Sequence, residues 1–189
     1  MTTSSTLTIE MARELLADWT PGLALRRHAR AVELTMRRLA LEFAPEDEEL
    51  FAIAGLLHDA DYEQWPEEHP RRIVAWLNER GEKVIAEAVA AHYTHWGFPA
   101  ETLLAKALLA ADELTGFVSA CCYVRPGGVT TLEPASVMKK LKDKKFAAKV
   151  DRQEIEIGCR LLAVEVRQLV EWIIQALSPH REELGIAGS

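Results

Sequence analysis

Cysteine is scarce in this 189-residue sequence: Cys121, Cys122 and Cys159 are too few and too irregularly spaced for a disulfide framework, and none forms a CxxC zinc pattern. A reducing compartment is the reading they suggest. Long apolar runs are missing as well. The most extended, Leu50 to Leu57 and Leu114 to Val124, fall far below the roughly 18 residues that a membrane-crossing helix needs. Residues Met1 to Thr8 lack the basic-then-apolar order of a secretory signal, so the expectation is a cytoplasmic protein with no membrane partner. With 10 glycines and 8 prolines the chain is neither collagen-like nor of low complexity. Basic charge is outnumbered: 22 Lys and Arg against 29 Asp and Glu leave a net charge of −7, which argues against broad nucleic-acid binding. Oligomeric state is left open.

One segment departs from that average. Between Ser136 and Arg152 lie Lys139, Lys140, Lys142, Lys144, Lys145, Lys149 and Arg152 against Asp143 and Asp151 alone. Such a run is usually a solvated face, yet fixed positive charge is also what a phosphorylated ligand requires.

Alternating β-branched runs are nearly absent while apolar residues recur at intervals of three and four, so the fold class is all-α. The length suits one compact domain with a real core. Helices are expected over about 8–18, 23–43, 46–58, 70–80, 82–93 and 101–123, then one or two short ones in the basic stretch and a last pair over 152–177. Asp59 to Glu68 has no periodicity and contains Pro66, which makes it a loop. Four segments result: an N-terminal helix over 1–19, a helical core over 20–125, the basic segment and C-terminal helices packed on that core over 126–177, and a flexible tail over 178–189.

The informative residues break the apolar stripes. His28 falls between Leu25 and Val32 on an inward face; His58, with Asp59 after it, extends the face set by Phe51 and Ala54. His92 extends the stripe of Ile85, Ala88 and Val89, and Asp112 lies on the line of Leu104 and Leu108. A buried, unpaired carboxylate is costly enough that it neutralises, pairs or binds a cation. Three inward histidines and two carboxylates on four helices are relieved together by a divalent metal, since imidazole nitrogen and carboxylate oxygen are both good ligands.

His28, His58-Asp59 within Gly55-Leu56-Leu57-His58-Asp59, and Asp112 within Ala110-Ala111-Asp112-Glu113-Leu114 resemble the H…HD…D signature of the HD-domain superfamily of metal-dependent phosphohydrolases. The similarity is closest to a group of predicted HD-superfamily hydrolases, on Ala60-Asp61-Tyr62-Glu63, Thr115-Gly116, Val124-Arg125-Pro126 and the basic stretch from Ser136 to Ala147. It implies a single-domain, multi-helix HD-like bundle with 20–125 as its metal-binding core. It further implies that His28, His58, Asp59 and Asp112 hold one divalent metal. His69 and His92 resemble the extra histidines of two-metal branches, in which Asp59 would bridge. One or two metals among Mn, Fe, Mg, Co, Ni and Zn are therefore expected. Ala60-Asp61 stands where many HD hydrolases have Ile-Gly followed by Lys.

The reaction so implied is hydrolysis of a small phosphorylated compound, a nucleotide or a phosphomonoester, by metal-activated water. Asp59, Asp61 and Glu63 are the catalytic candidates, the last two orienting the water or accepting its proton. Arg125, Lys139, Lys140 and Lys145 are the candidates for phosphate contact. Tyr62 and Trp65 are candidates to wall the site, and His95 to hydrogen-bond substrate. The six-ligand set also resembles the di-iron oxygenase branch of the superfamily, and a metal-stabilised nucleotide-binding module without turnover is the non-enzymatic alternative.

Overall fold

The computed structural model describes residues 6–188. The first five residues of the expected N-terminal segment, and Ser189, lie outside it. No strand occurs among the described residues. The helices are α1 (Ile9–Trp19), α2 (Leu23–Phe43), α3 (Glu48–Leu57), α4 (Arg71–Glu79), α5 (Lys83–His92), α6 (Leu103–Tyr123), α7 (Pro134–Leu141), α8 (Arg152–Leu162), α9 (Val166–Leu177) and α10 (Arg181–Leu184). None is long and apolar enough to cross a membrane.

Local chemistry sets several boundaries. Thr8, Thr102 and Asp151 cap α1, α6 and α8 by accepting amide protons of the first turn. α6 runs through the middle of the bundle, with Ala107, Ala110, Ala111, Leu108, Leu114 and Phe117 all removed from solvent. Two glycines let helices approach at backbone distance. A Cβ on Gly55 would lie 2.8 Å from Met36 Cγ and 2.9 Å from Val32 O, so α3 rests directly on α2. A Cβ on Gly158 would lie 2.6 Å from Ala110 Cα, which brings α8 equally close to α6. Thr115 donates to Thr35 at 3.0 Å, a buried tie between α6 and α2. Glu33, fully buried on α2, is matched by Arg13, Arg30 and Arg37 at 2.8–3.2 Å, which pins α1 against α2.

The three cysteines are free and buried, and burial pushes their thiols up to about 11, 12 and 11. They serve as small core residues. The segment expected as a flexible tail has ordered secondary structure in the fold. Residues 178–184 form a 3-10 turn and α10, Leu184 and Ile186 are buried, and Val129 donates its amide proton to Ile186 O at 2.9 Å. Its apolar residues are too few to show a period, but enough to seal the ends of α2 and α6.

Candidate metal centre

The six predicted ligands converge. His28 comes from the second turn of α2, Asp112 from the middle of α6, and His58 and Asp59 from the end of α3. His69 stands before Pro70 at the start of α4, and His92 is the last residue of α5.

Helix ends aim two of the rings. The last carbonyls of a helix lack intrahelical partners. His58 Nδ1 reaches back to Gly55 O at 2.8 Å and His92 Nδ1 to Val89 O at 2.5 Å. A carbonyl only accepts, so Nδ1 carries a proton in both rings and Nε2 is the nitrogen left to face the carboxylates. His69 is aimed by a carboxylate instead: its Nδ1 donates to Asp61 Oδ1 at 2.7 Å. Such outer partners fix ring orientation at metal sites.

The free nitrogens and carboxylate oxygens form two groups. His28, His58 and Asp112 supply one, Asp59, His69 and His92 the other, and in each the ligand atoms lie within 4.8 Å of one another. Asp112 Oδ1 is 3.0 Å from His28 Nε2 and 3.2 Å from His58 Nε2. Asp59 straddles the groups. Its Oδ2 lies 3.5 Å from His58 Nε2 and 4.0 Å from His28 Nε2. Its Oδ1 lies 3.4 Å from His69 Nε2 and 3.6 Å from His92 Nε2.

These residues fit a bound cation. His58 is fully buried, and its Nε2 has no hydrogen-bond partner despite the carboxylates beside it. An orphaned buried nitrogen facing carboxylate oxygens is an arrangement that a metal satisfies. The local field has the matching sign. Burial alone would push His58 down, but the charges of Asp59 and Asp112, with the Gly55 carbonyl on its other nitrogen, raise it to about 10. Burial likewise opposes ionisation of Asp59 and Asp112, yet the neighbouring histidines hold both carboxyls well below the usual range.

Five of the six ligands, all but the fully buried His58, floor a cavity of about 760 Å³. Tyr62, Tyr93 and His95 form part of its wall; Glu113, Lys149 and Glu154 form another part. Tyr62 and Tyr93 stand edge-on to the His69 ring, at 5.4 and 5.3 Å between centroids. Trp65 does not line the cavity; it packs on Trp19 with centroids 5.1 Å apart.

The structure places three sets of candidate residues away from the ligand cavity. Asp61 is fully buried: Oδ1 accepts from His69, and Oδ2 accepts the amide protons of Arg72 and Ile73 at 3.1 and 3.0 Å. It holds His69 and the first turn of α4 and does not line the ligand cavity. Glu63 points to Gly22, whose amide proton it accepts at 2.8 Å, and lies outside the ligand cavity. The predicted phosphate-contact residues are elsewhere too. Arg125 donates to Thr131 at 2.9 Å and lines a separate cavity, while Lys140 Nζ lies 4.0 Å from the Phe146 ring centroid. Lys139 and Lys145 do not line the ligand cavity either.

Among the wall residues that the sequence does not single out are Tyr93, Glu113 and Lys149. Glu113 follows Asp112 on α6, where the sequence offers only adjacency, and burial with the charges of Asp112 and Glu154 pushes its carboxyl up to about 7. Lys149 was one lysine among many.

The HD domain family model matches residues 25–116, a span that contains all six ligands. No curated protein and no solved structure matches the chain significantly.

Proposed function

We propose, on the HD domain family model that matches residues 25–116, that the chain is a metal-dependent phosphohydrolase of a small phosphorylated compound, a nucleotide or a phosphomonoester. The observation that carries this reading is the shared carboxylate of Asp59, reaching His58 with one oxygen and His69 and His92 with the other. His28, His58, Asp59 and Asp112 would hold one divalent metal; Asp59, His69 and His92 would hold a second.

When bound, such metals polarise a phosphoryl oxygen and bring water to hydroxide near neutral pH. The chain's own residues supply orientation. Gly55 O, Val89 O and Asp61 keep three imidazoles aimed at the Asp59 carboxylate, which orients the ligand set in advance. Tyr62 and Tyr93 offer an aromatic wall for the organic part of the substrate. Proton acceptance falls to Glu113, whose carboxyl reaches the cavity while those of Asp61 and Glu63 are committed elsewhere.

The test is a panel of phosphate esters assayed with Mn, Mg, Co or Fe supplied. Metal-dependent phosphate release that disappears in a His58→Ala, Asp59→Ala double variant is the expected result. Equal release from that variant, or turnover that instead requires oxygen, would overturn the reading.

A further inference from the structure

Six of the seven cations in the basic stretch from Ser136 to Arg152 leave the ligand cavity untouched. Lys149 is the exception. It is the one Lys or Arg side chain on the cavity wall, it is exposed, and it makes no hydrogen bond or ion pair to any described residue.

The turn that carries it is held from inside. Arg152 Nη1 donates to Ala147 O and Val150 O at 2.9 and 2.8 Å, and Nη2 donates to Asp143 O and Phe146 O at 3.2 and 2.5 Å. One guanidinium thus gathers four carbonyls of the segment immediately preceding it. Its Cζ lies 5.2 Å from the Phe117 ring centroid on α6, and Phe146 packs edge-on against the same ring at 5.5 Å. On the far side of Lys149, the Asp151 amide donates to Glu113 Oε2 at 3.0 Å, and Glu154 accepts from the Thr94 hydroxyl, which joins the turn to α6 and to the end of α5. Ala147 adopts φ 45°, a left-handed conformation that a residue with a Cβ resists. A turn kept in that conformation by so many partners is over-determined by its surroundings.

Resting on the phosphohydrolase reading, we infer that Lys149 holds the substrate's phosphoryl group, that Arg152 is the positioning residue that presents it, and that the substrate is an organic phosphomonoester with a single phosphoryl group. The charge on the wall supports that limit. Apart from the metal positions and their ligands, the wall carries three acids, Glu113, Asp151 and Glu154, beside the single lysine, which disfavours the added negative charge of a second or third phosphoryl group. The volume, about 760 Å³, leaves room for an organic group of nucleoside or sugar size against Tyr62 and Tyr93.

The test uses metal-loaded full-length protein, p-nitrophenyl phosphate as substrate and inorganic phosphate as competing ligand. Lys149→Ala should raise KM and the phosphate inhibition constant by about 10- to 100-fold, the range for losing a charge-assisted hydrogen bond, with kcat within a few fold and metal content unchanged. Lys149→Arg should recover most of the loss, and Lys144→Ala should match the wild type. Arg152→Lys should raise KM in the same direction, and combining it with Lys149→Ala should add nothing further. A nucleoside monophosphate should be turned over with higher kcat/KM than its triphosphate. An active wild type with an unchanged KM in Lys149→Ala, or one that prefers the triphosphate, overturns this inference alone. A metal-loaded wild type that hydrolyses no phosphate ester overturns it together with the reading on which it rests.

Discussion

His69 donates its Nδ1 proton to Asp61 Oδ1 at 2.7 Å, and the other oxygen of that carboxylate accepts the amide protons of Arg72 and Ile73 at the start of α4. One buried acid therefore joins an imidazole of the candidate metal centre to a helix terminus, where negative charge is favoured. Asp61→Asn removes the charge and puts an amide donor among three donors. The expected outcome is about 10- to 100-fold weaker metal binding by the group of Asp59, His69 and His92, with the group of His28, His58 and Asp112 retained. Competition with a metal-chelating dye resolves the two affinities.

Metal and proton compete for His58. Asp59 and Asp112 overcome the effect of burial and hold this ring protonated up to about 10 in the metal-free protein. Coordination needs the neutral ring, so binding at pH 8 should release about one proton, and apparent affinity should rise with pH until about 10. Calorimetric titrations in two buffers of different ionisation enthalpy measure the release; identical heats in both would contradict it.

Glu113 carries the opposite linkage from a salt-bridged acid. Burial and the charges of Asp112 and Glu154 raise its carboxyl from 4.5 to about 7, so the folded chain holds a proton that the unfolded chain has released. Stability contributed by that proton is lost as pH rises from 4.5 to 7. Glu113→Gln keeps an acceptor for the Asp151 amide and removes the charge. Thermal melting of chelator-treated protein should show the variant gaining on the wild type across that window and holding a constant lead above it. A difference that does not vary with pH would contradict the assignment.

Gly55 serves packing and site at once. Its missing Cβ lets α3 rest on α2, and its carbonyl orients His58. Gly55→Ala should destabilise the fold by about 1–3 kcal/mol through overpacking, and should lower metal affinity because the segment that aims His58 must shift. Chemical denaturation and metal titration check the two effects separately.

Helical phasing made most of the site legible. His28, His58, His92 and Asp112 each broke an apolar stripe on an inward face, and the folded bundle brings them within reach of one another. His69 carried no such signal, because it stands on an irregular turn, and its place came from resemblance. Irregular backbone also misled: Asp61 and Glu63 follow the HD pair directly, but in a chain of turns neighbouring side chains diverge, one to α4 and the other to Gly22. Lys149 was hidden among six other cations because its distinction depends on Arg152 gathering carbonyls 143, 146, 147 and 150. Partnerships of that kind have no period to reveal them. The tail hid for a related reason, since Leu184 and Ile186 matter only through what they cover.

The central claim is that Asp59 joins two metal positions, and counting metals tests it most directly. Protein reconstituted with Mn, desalted and assayed by elemental analysis should hold two ions per chain, falling to one in a His69→Ala, His92→Ala double variant and to none in His58→Ala, Asp59→Ala. A wild type that retains no metal, or a His69→Ala, His92→Ala variant that still retains two, would contradict it.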